Sequence, residues 1–125
     1  MTPTRTFDLL ENFVTKYAGK NALSEKVNGK WIFYSSEKYS EIAHHFALGL
    51  LELGFSKGDK IVTVTNNRPQ WNFVDMGTAM AGVVHVPVYT SLNAEEYNYV
   101  ISHSDASMVI VSDKKLCKLL SLIHI

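Results

Sequence analysis

The chain has 125 residues, of which 46% are hydrophobic, and it carries 12 basic and 12 acidic side chains for a formal net charge of zero. This length fits one domain or part of one, the apolar content excludes a disordered chain, and the balanced charge gives no reason to expect a nucleic-acid partner. The single cysteine, Cys117, excludes an intrachain disulfide and favours a cytoplasmic protein, and no apolar run is long enough to span a membrane.

The first third of the chain predicts a helix and a β-hairpin. Apolar side chains recur at helical spacing after Thr6, which is a suitable N-cap, and Gly19 is a suitable stop. The Asn28-Gly29 pair adopts positive φ at little cost and favours a two-residue hairpin turn. The predicted elements are a helix over residues 6–18 and hairpin strands over 22–26 and 31–35.

The next segment is the clearest helix in the sequence. Apolar residues fall at steps of three and four over residues 36–53 and form one continuous stripe. Ser35 or Ser36 can cap its start, and Gly54 can end it.

Beyond Gly54 the period changes, and short β-branched runs alternate with helical segments. Pro69 suits a first helical turn and Gly82 a helix end, while Asn93 with Glu96 forms a capping-box pattern. Pro87 lacks a donor, so its strand either lies at a sheet edge or ends its pairing early. The predicted strands cover residues 61–65, 83–88 and 108–112, and the predicted helices cover 69–81 and 94–103.

This alternation predicts the α/β class with parallel strands and right-handed crossovers. An N-terminal helix, a β-hairpin and a helix are followed by a βαβαβ parallel-sheet unit, which is an incomplete part of a larger doubly wound domain. The hairpin is expected outside the parallel ladder. A short helix is expected from Lys114 onward.

One glycine-containing segment superficially resembles a phosphate loop. It runs from Gly54 to Lys60, but only three residues separate the glycines, and Asp59 would repel a phosphate. We therefore interpret it as a helix end followed by a turn into the next strand. No Gly-x-Gly-x-x-Gly follows any predicted strand, so the dinucleotide fingerprint is absent too.

Two residues carry reactive side chains in places where catalysis would need a partner. His85 lies in an apolar strand and could serve as a ligand or a base, but a core histidine hydrogen-bonded to the backbone is the favoured interpretation. Cys117 is interpreted as a half-buried thiol on a helix. No spacing of histidines, cysteines or carboxylates predicts a metal site.

Two further groups of residues have both a functional and a structural interpretation. Trp31, Phe33 and Tyr34 could stack on bases, but the absence of interleaved basic residues favours a hairpin packed on the core. Asn67 and Arg68 follow the first parallel strand, where ligands of open α/β sheets bind. Capping of the helix that starts at Pro69 is the favoured role for this pair.

Five stretches, taken in order, resemble a known family. Each is a weak motif alone, but their order is specific, and the hairpin and helix before them are similar as well. The stretches are Gly58-Asp59-x-Ile61-Val62, Asn67-Arg68-Pro69-Gln70-Trp71 with Asp75 following, Gly82 to Leu92 with its Val86-Pro87-Val88-Tyr89, Glu95-Glu96-x-x-Tyr99-Val100-Ile101-x-x-Ser104-Asp105-Ala106, and Met108 to Val111.

From about Phe7 to Lys118 the chain resembles the N-terminal part of the adenylate-forming superfamily, in its AMP-forming long-chain fatty acyl-CoA synthetase branch. The resemblance implies a full-length parent that uses ATP, Mg²⁺ and coenzyme A to convert a fatty acid first to an acyl-adenylate and then to an acyl-CoA. It also allows peripheral membrane association of the parent. We expect residues 1–120 to be the N-terminal portion of an adenylation domain and residues 121–125 to be a non-native tail.

The family's catalytic motifs are a Ser/Thr/Gly-rich loop ending in Lys-Gly, a Thr-Glu pair, a ribose-binding Asp and a lysine on a mobile C-terminal domain. None occurs in this sequence, so no catalytic, cofactor-binding or metal-binding residue is assigned, and the chain alone is expected to be inactive. The alternatives are a free-standing flavodoxin-like module that binds a small ligand at its strand ends and a noncatalytic interaction protein.

Overall fold

A three-stranded parallel sheet and a separate two-stranded hairpin form the framework of the chain. The computed structural model describes residues 2–122. The elements in chain order are α1 Asp8–Thr15, β1 Leu23–Val27, β2 Lys30–Tyr34, α2 Ser36–Glu52, β3 Lys60–Val64, α3 Pro69–Ala81, β4 Val84–Val88, α4 Ala94–Ser104, β5 Met108–Val111 and α5 Lys114–Ser121.

The sheet has the order β4-β3-β5, and both pairings of β3 are parallel. The predicted α/β class, the parallel ladder and the position of the hairpin outside it are therefore confirmed. Pro87 pairs in register with Thr63 on a strand at the edge of this sheet, where a missing donor costs no ladder bond.

Helices cover both faces of the central strand because its side chains alternate between them. Val62 and Val64 pack in one cluster with Tyr97 and Ile101 of α4. Ile61 points the other way, into a cluster with Leu50 of α2. Because both faces of β3 are buried, its sequence is an almost continuous apolar run and does not alternate between apolar and polar residues.

Helix α3 is the most enclosed helix, as its apolar sequence predicts. Every residue from Pro69 to Ala81 is buried or half-buried. A Cβ added at Gly77 would lie 2.7 Å from Cδ1 of Phe46 and 2.8 Å from the carbonyl oxygen of Ala43, so α2 and α3 touch backbone to backbone here. Gly82 ends the helix at φ 73°, as predicted.

The first helix is shorter than predicted at both ends. Thr6 does not cap it, and Phe7 occupies the N-cap position without a side-chain hydrogen bond. The Asp8 carboxylate accepts hydrogen bonds from the backbone N–H groups of Thr4 and Arg5, before the helix, at 3.0 and 2.9 Å. Gly19 does not end it either. Its carbonyl oxygen accepts from the N–H of Ser36, and that tie to the start of α2 requires the chain to leave the helix earlier.

The hairpin is correctly predicted, but its packing is not. Asn28 and Gly29 adopt φ of 50° and 80°, as the tight turn requires. Tyr34 packs on the core beside Phe73, whereas Trp31 and Phe33 are more than half exposed. The alternating register explains the difference, since the face of β2 that carries Tyr34 is turned away from Trp31 and Phe33.

The predicted tail falls largely outside the described residues. Residues 123–125 are outside them, and Ser121 closes α5. That helix begins as expected at Lys114, where the Asp113 side chain accepts from the N–H of Leu116 at 2.9 Å.

Candidate functional site

A cleft of about 490 Å³ opens at the carboxyl ends of β3 and β4. In open α/β sheets this is the end at which ligands bind. The cleft combines one cation, two amides and two aromatic rings, which is the mixture of apolar wall and few polar groups typical of ligand sites. It is lined by Thr65, Asn67, Arg68, Trp71, Asn72, Pro87, Val88 and Tyr89.

A larger cavity of about 660 Å³ lies between the N-terminal segment and α1, against Tyr39 and Met76. Its lining comes from the N-terminal segment, α1, α2 and α3, and no strand end contributes to it. We therefore take the smaller cleft as the candidate functional site.

Asn67 and Arg68 lie at the rim of the cleft, and their predicted structural role is not observed. Arg68 occupies the N-cap position of α3 in an extended conformation but forms no capping hydrogen bond through its side chain. Both residues are exposed. Their guanidinium and amide groups can therefore meet a ligand, which agrees with the functional interpretation of this pair and not with the capping role.

A polar atom of a residue that lines the cleft has no protein partner among the described residues. Oγ1 of Thr65 is fully buried and forms no hydrogen bond to any described residue. A buried hydroxyl without a partner is unfavourable. Because this oxygen has no solvent-accessible surface, it does not itself form part of the open cleft.

The opposite wall of the cleft is positioned by α4. The hydroxyl of Tyr97 donates a hydrogen bond to the carbonyl oxygen of Tyr89 at 2.9 Å. Tyr97 is completely buried, and this burial raises the pKa of its hydroxyl. The contact anchors the segment after β4, while the Tyr89 side chain is exposed.

His85 lies directly behind the Trp71 wall, in a buried network of side chains. Nε2 of His85 is 2.7 Å from Oγ1 of Thr63, and Nδ1 is 2.8 Å from Oδ1 of Asp75. The imidazole ring lies 5.1 Å from the ring of Trp71, centroid to centroid. His85 is thus a core histidine, as predicted, but side chains and not the backbone are its partners.

One feature of the sequence indicates this network. A buried histidine needs a polar partner, and Asp75 is the sole charged residue among residues 69–81, on a helix that is otherwise apolar or neutral. Both ring nitrogens of His85 are engaged, which argues against a role as a metal ligand.

The remaining candidates lie away from the cleft. The Gly54–Lys60 segment is a turn in which the Asp59 carboxylate accepts from the N–H of Ser56 at 2.7 Å, as interpreted from the sequence. Cys117 lies on α5, but it is exposed and not half-buried. Leu116 and Leu120 form the buried face of this helix, and Cys117 lies outside that face. Within residues 2–122 no three His, Cys, Asp or Glu side chains converge on a metal position.

A glutamate close to Arg68 is held by the hairpin and α3 together. The Glu25 carboxylate accepts from Nε2 of Gln70 at 3.0 Å and from the Tyr34 hydroxyl at 2.9 Å. These two hydrogen bonds, and then the charge of Arg68, lower the pKa of Glu25. Glu25 therefore stays ionised, so the Arg68 guanidinium at the cleft rim has a nearby anion.

No helix within residues 2–122 is long and apolar enough to cross a membrane.

Comparison with known proteins gives consistent results. The family model described as AMP-binding enzyme matches residues 10–124. Fatty acyl-CoA synthetase A of Dictyostelium discoideum is 34% identical over 74% of this chain and 14% of its own length. The long-chain-fatty-acid–CoA ligase ACSBG1 of Mus musculus is 33% identical over 96% of this chain and 17% of its own length.

Solved structures share the fold. A long-chain-fatty-acid CoA ligase from Rhodopseudomonas palustris, described as putative in its name, superposes with a TM-score of 0.84 at 20% identity, over 98% of this chain and 30% of that one. VinN superposes at 0.82 with 22% identity, over 96% of this chain and 31% of its own. The chain thus spans less than a fifth of these curated relatives and about a third of these structures. Because the family model covers nearly all of it, the chain belongs to the AMP-binding enzyme family.

Proposed function

We propose that this chain is the N-terminal portion of an AMP-forming long-chain fatty acid–CoA ligase. The observation that carries the proposal is the family match over residues 10–124, together with the long-chain ligases among its relatives. In the parent, a fatty acid carboxylate would attack the α-phosphate of ATP to give an acyl-adenylate and pyrophosphate. Coenzyme A would then displace AMP to give the acyl-CoA.

The residues present do not fit a magnesium or triphosphate site. No metal-binding group converges among residues 2–122, and the Gly54–Lys60 turn contains a carboxylate where a phosphate loop needs donors. We therefore assign no catalytic, cofactor or metal role to a residue of this chain. Its contribution is structural: three strands of the sheet and the cleft at their carboxyl ends, where Asn67 and Arg68 supply exposed polar groups. A cytoplasmic location belongs to the same proposal, on the basis of the single cysteine.

The first test uses the chain as it is. Incubated with ATP, magnesium, palmitate and coenzyme A, it is expected to release no pyrophosphate above a no-protein blank. Release that follows the protein through purification would overturn the assignment of catalysis to residues outside this chain.

The second test reads the transcript beyond codon 125. It is expected to encode a Ser/Thr/Gly-rich loop followed by Lys-Gly, and the longer product is expected to form acyl-CoA from palmitate. Benzoate is the control carboxylate, because it has the reacting group without the long chain. A longer product that prefers benzoate, or a frame without the loop, would contradict the long-chain assignment.

A further inference from the structure

The outer half of the hairpin is apolar on both faces. We call residues 26–33 the hairpin tip. The strand register places Trp31 and Phe33 on one face, where they are 59% and 54% exposed. Val27 and Ile32 lie on the opposite face and are 40% and 41% exposed. Large apolar side chains rarely stand exposed on both sides of one small element of a soluble protein.

The longer segment that contains the hairpin tip is rich in positive charge. Residues 16–35 contain four lysines and one glutamate, in a chain of zero net charge. Lys26 is directly opposite Trp31 in the register, and Lys30 is opposite Val27. The one acid, Glu25, lies opposite Ile32 and accepts hydrogen bonds from Tyr34 and Gln70. The two hairpin lysines therefore outnumber the one hairpin carboxylate.

The exposure of apolar side chains on both faces of the hairpin tip distinguishes between possible binding partners. A nucleic-acid strand or a second copy of this chain would cover one face of a two-stranded hairpin and leave the other in water. Insertion into the headgroup region of a bilayer covers both faces at once, with tryptophan in its preferred interfacial position and lysines beside acidic headgroups.

We infer that the hairpin tip is a docking element for a phospholipid surface that carries anionic lipid. Trp31, Phe33, Val27 and Ile32 enter the interfacial region, and Lys26 and Lys30 contact the headgroups. The inference rests on these exposures and charges, and it holds whether or not the parent is a ligase, because the test reads binding and not activity.

Vesicle flotation tests the docking, because self-associated protein stays at the bottom of the gradient. The chain is expected to float with phosphatidylglycerol-containing vesicles and to float less with phosphatidylcholine alone or at high salt. W31A/F33A is expected to bind at least about tenfold more weakly, and K26A/K30A about fivefold more weakly for each lysine removed. L48A/L51A removes two exposed leucines from α2 and is the matched control, which is expected to float like the parent chain.

A spectroscopic readout checks the depth of insertion. The chain has two tryptophans, and Trp71 is half-buried on α3, outside the hairpin tip. Lipids brominated on the acyl chain are expected to quench the chain's fluorescence, and Trp31→Phe is expected to float normally but lose the quenching. Equal flotation of W31A/F33A, or no flotation at all, would overturn the proposal. So would preferential binding of single-stranded DNA, or self-association that W31A/F33A abolishes.

Discussion

At the scale of single residues, the buried network behind the cleft joins three elements through one imidazole. His85 of β4 bonds to Thr63 of β3 and Asp75 of α3, and its ring lies against Trp71 at the cleft wall. Thr63 is fully buried, and the imidazole of His85 is the side chain that pairs with its hydroxyl. The histidine thereby couples the wall of the cleft to the centre of the sheet.

His85→Ala is expected to destabilise the fold by about 1–3 kcal/mol, because it leaves a buried hydroxyl without a partner. Urea unfolding followed by circular dichroism measures the change. His45→Ala is the control, since His45 is exposed on α2 and should change stability by less than about 0.5 kcal/mol. In the double variant His85→Ala/Thr63→Val the two effects should not add, with a coupling of about 0.5–3 kcal/mol. Strict additivity would show that the hydrogen bond contributes nothing.

Gly77→Ala is expected to destabilise by about 1–3 kcal/mol, because the new methyl group would overlap Phe46 and the Ala43 carbonyl. The chain offers a matched control in Gly49→Ala. Gly49 lies on α2, and a Cβ added there would meet nothing within 4 Å. Because alanine favours the helix over glycine, this substitution should stabilise the fold by up to about 1 kcal/mol. Equal effects of the two substitutions in thermal or urea unfolding would refute the close approach of α2 and α3.

At the scale of elements, the chain places polar side chains where helices need them. Asn93 and Glu96 form both hydrogen bonds of a capping box at the start of α4, and Ser35 and Asp113 cap α2 and α5. Helix α1 differs, since its N-cap residue Phe7 offers no acceptor. The Asp8 carboxylate, on the first helical residue, holds the preceding turn in place: it accepts from the backbone N–H groups of Thr4 and Arg5 and from the Arg5 guanidinium at 2.8 Å.

This arrangement makes the stability of the N-terminal turn depend on pH. The Arg5 side chain, followed by the backbone amide of Thr4, holds the pKa of Asp8 well below its ordinary value of 3.8. Because the folded pKa lies below the unfolded one, Asp8 contributes its full stabilisation at pH values above 3.8, and that stability is lost progressively as the pH falls from 3.8 through the lower folded pKa.

Asp8→Asn is therefore expected to lower stability near neutral pH and to flatten its decline in acid. Urea midpoints measured between about pH 6 and pH 2 report both effects. Glu52→Gln is the control for loss of a carboxyl group from the end of α2. An unchanged acid slope in Asp8→Asn would contradict the ionised pairing of Asp8 with Arg5.

At the scale of the whole molecule, the chain exposes more surface than its mass requires. Its accessible area is 8190 Å², against about 6,700 Å² for a compact protein of 14.0 kDa. Large apolar side chains lie on its surface, including Leu48, Leu53 and Tyr99. In the part of the chain that the structure describes, β4 and β5 each pair on one side only. Uncovered strand edges and apolar surface favour association with other chains.

We therefore expect the isolated chain to bind a dye specific for exposed apolar surface, to associate in solution, and to melt over a broad range. Each 100 Å² of apolar surface left bare forgoes roughly 2.5 kcal/mol, which is large beside a total stability of about 5–15 kcal/mol for a complete domain. Light scattering and differential scanning calorimetry are the measurements. A monodisperse monomer with a sharp, reversible transition would contradict the expectation and favour a module that is stable alone.

Much of this fold follows from the sequence because its signals are local. The Asn28-Gly29 turn, the Pro69 start and Gly82 end of α3, and the β-branched runs each depend on the dihedral angles and periodicity of neighbouring residues. Helix α1 is the exception. Its ends depend on the Asp8 carboxylate and on the contact of Gly19 with Ser36, a partner 17 positions away in the chain. Sequence periodicity contains no information on such a contact.

The sequence by itself determined the α/β class, the order of the elements, the parallel sheet and the family resemblance, because these follow from period, turn chemistry and ordered motifs. Only the tertiary structure decided the partners of His85, the free side chains of Asn67 and Arg68, and the exposure of Trp31, Phe33 and Cys117. These depend on which surfaces meet after the strands pair. A side chain's burial and its hydrogen-bond partners are set by residues distant in sequence, and the crossovers of the sheet bring them together.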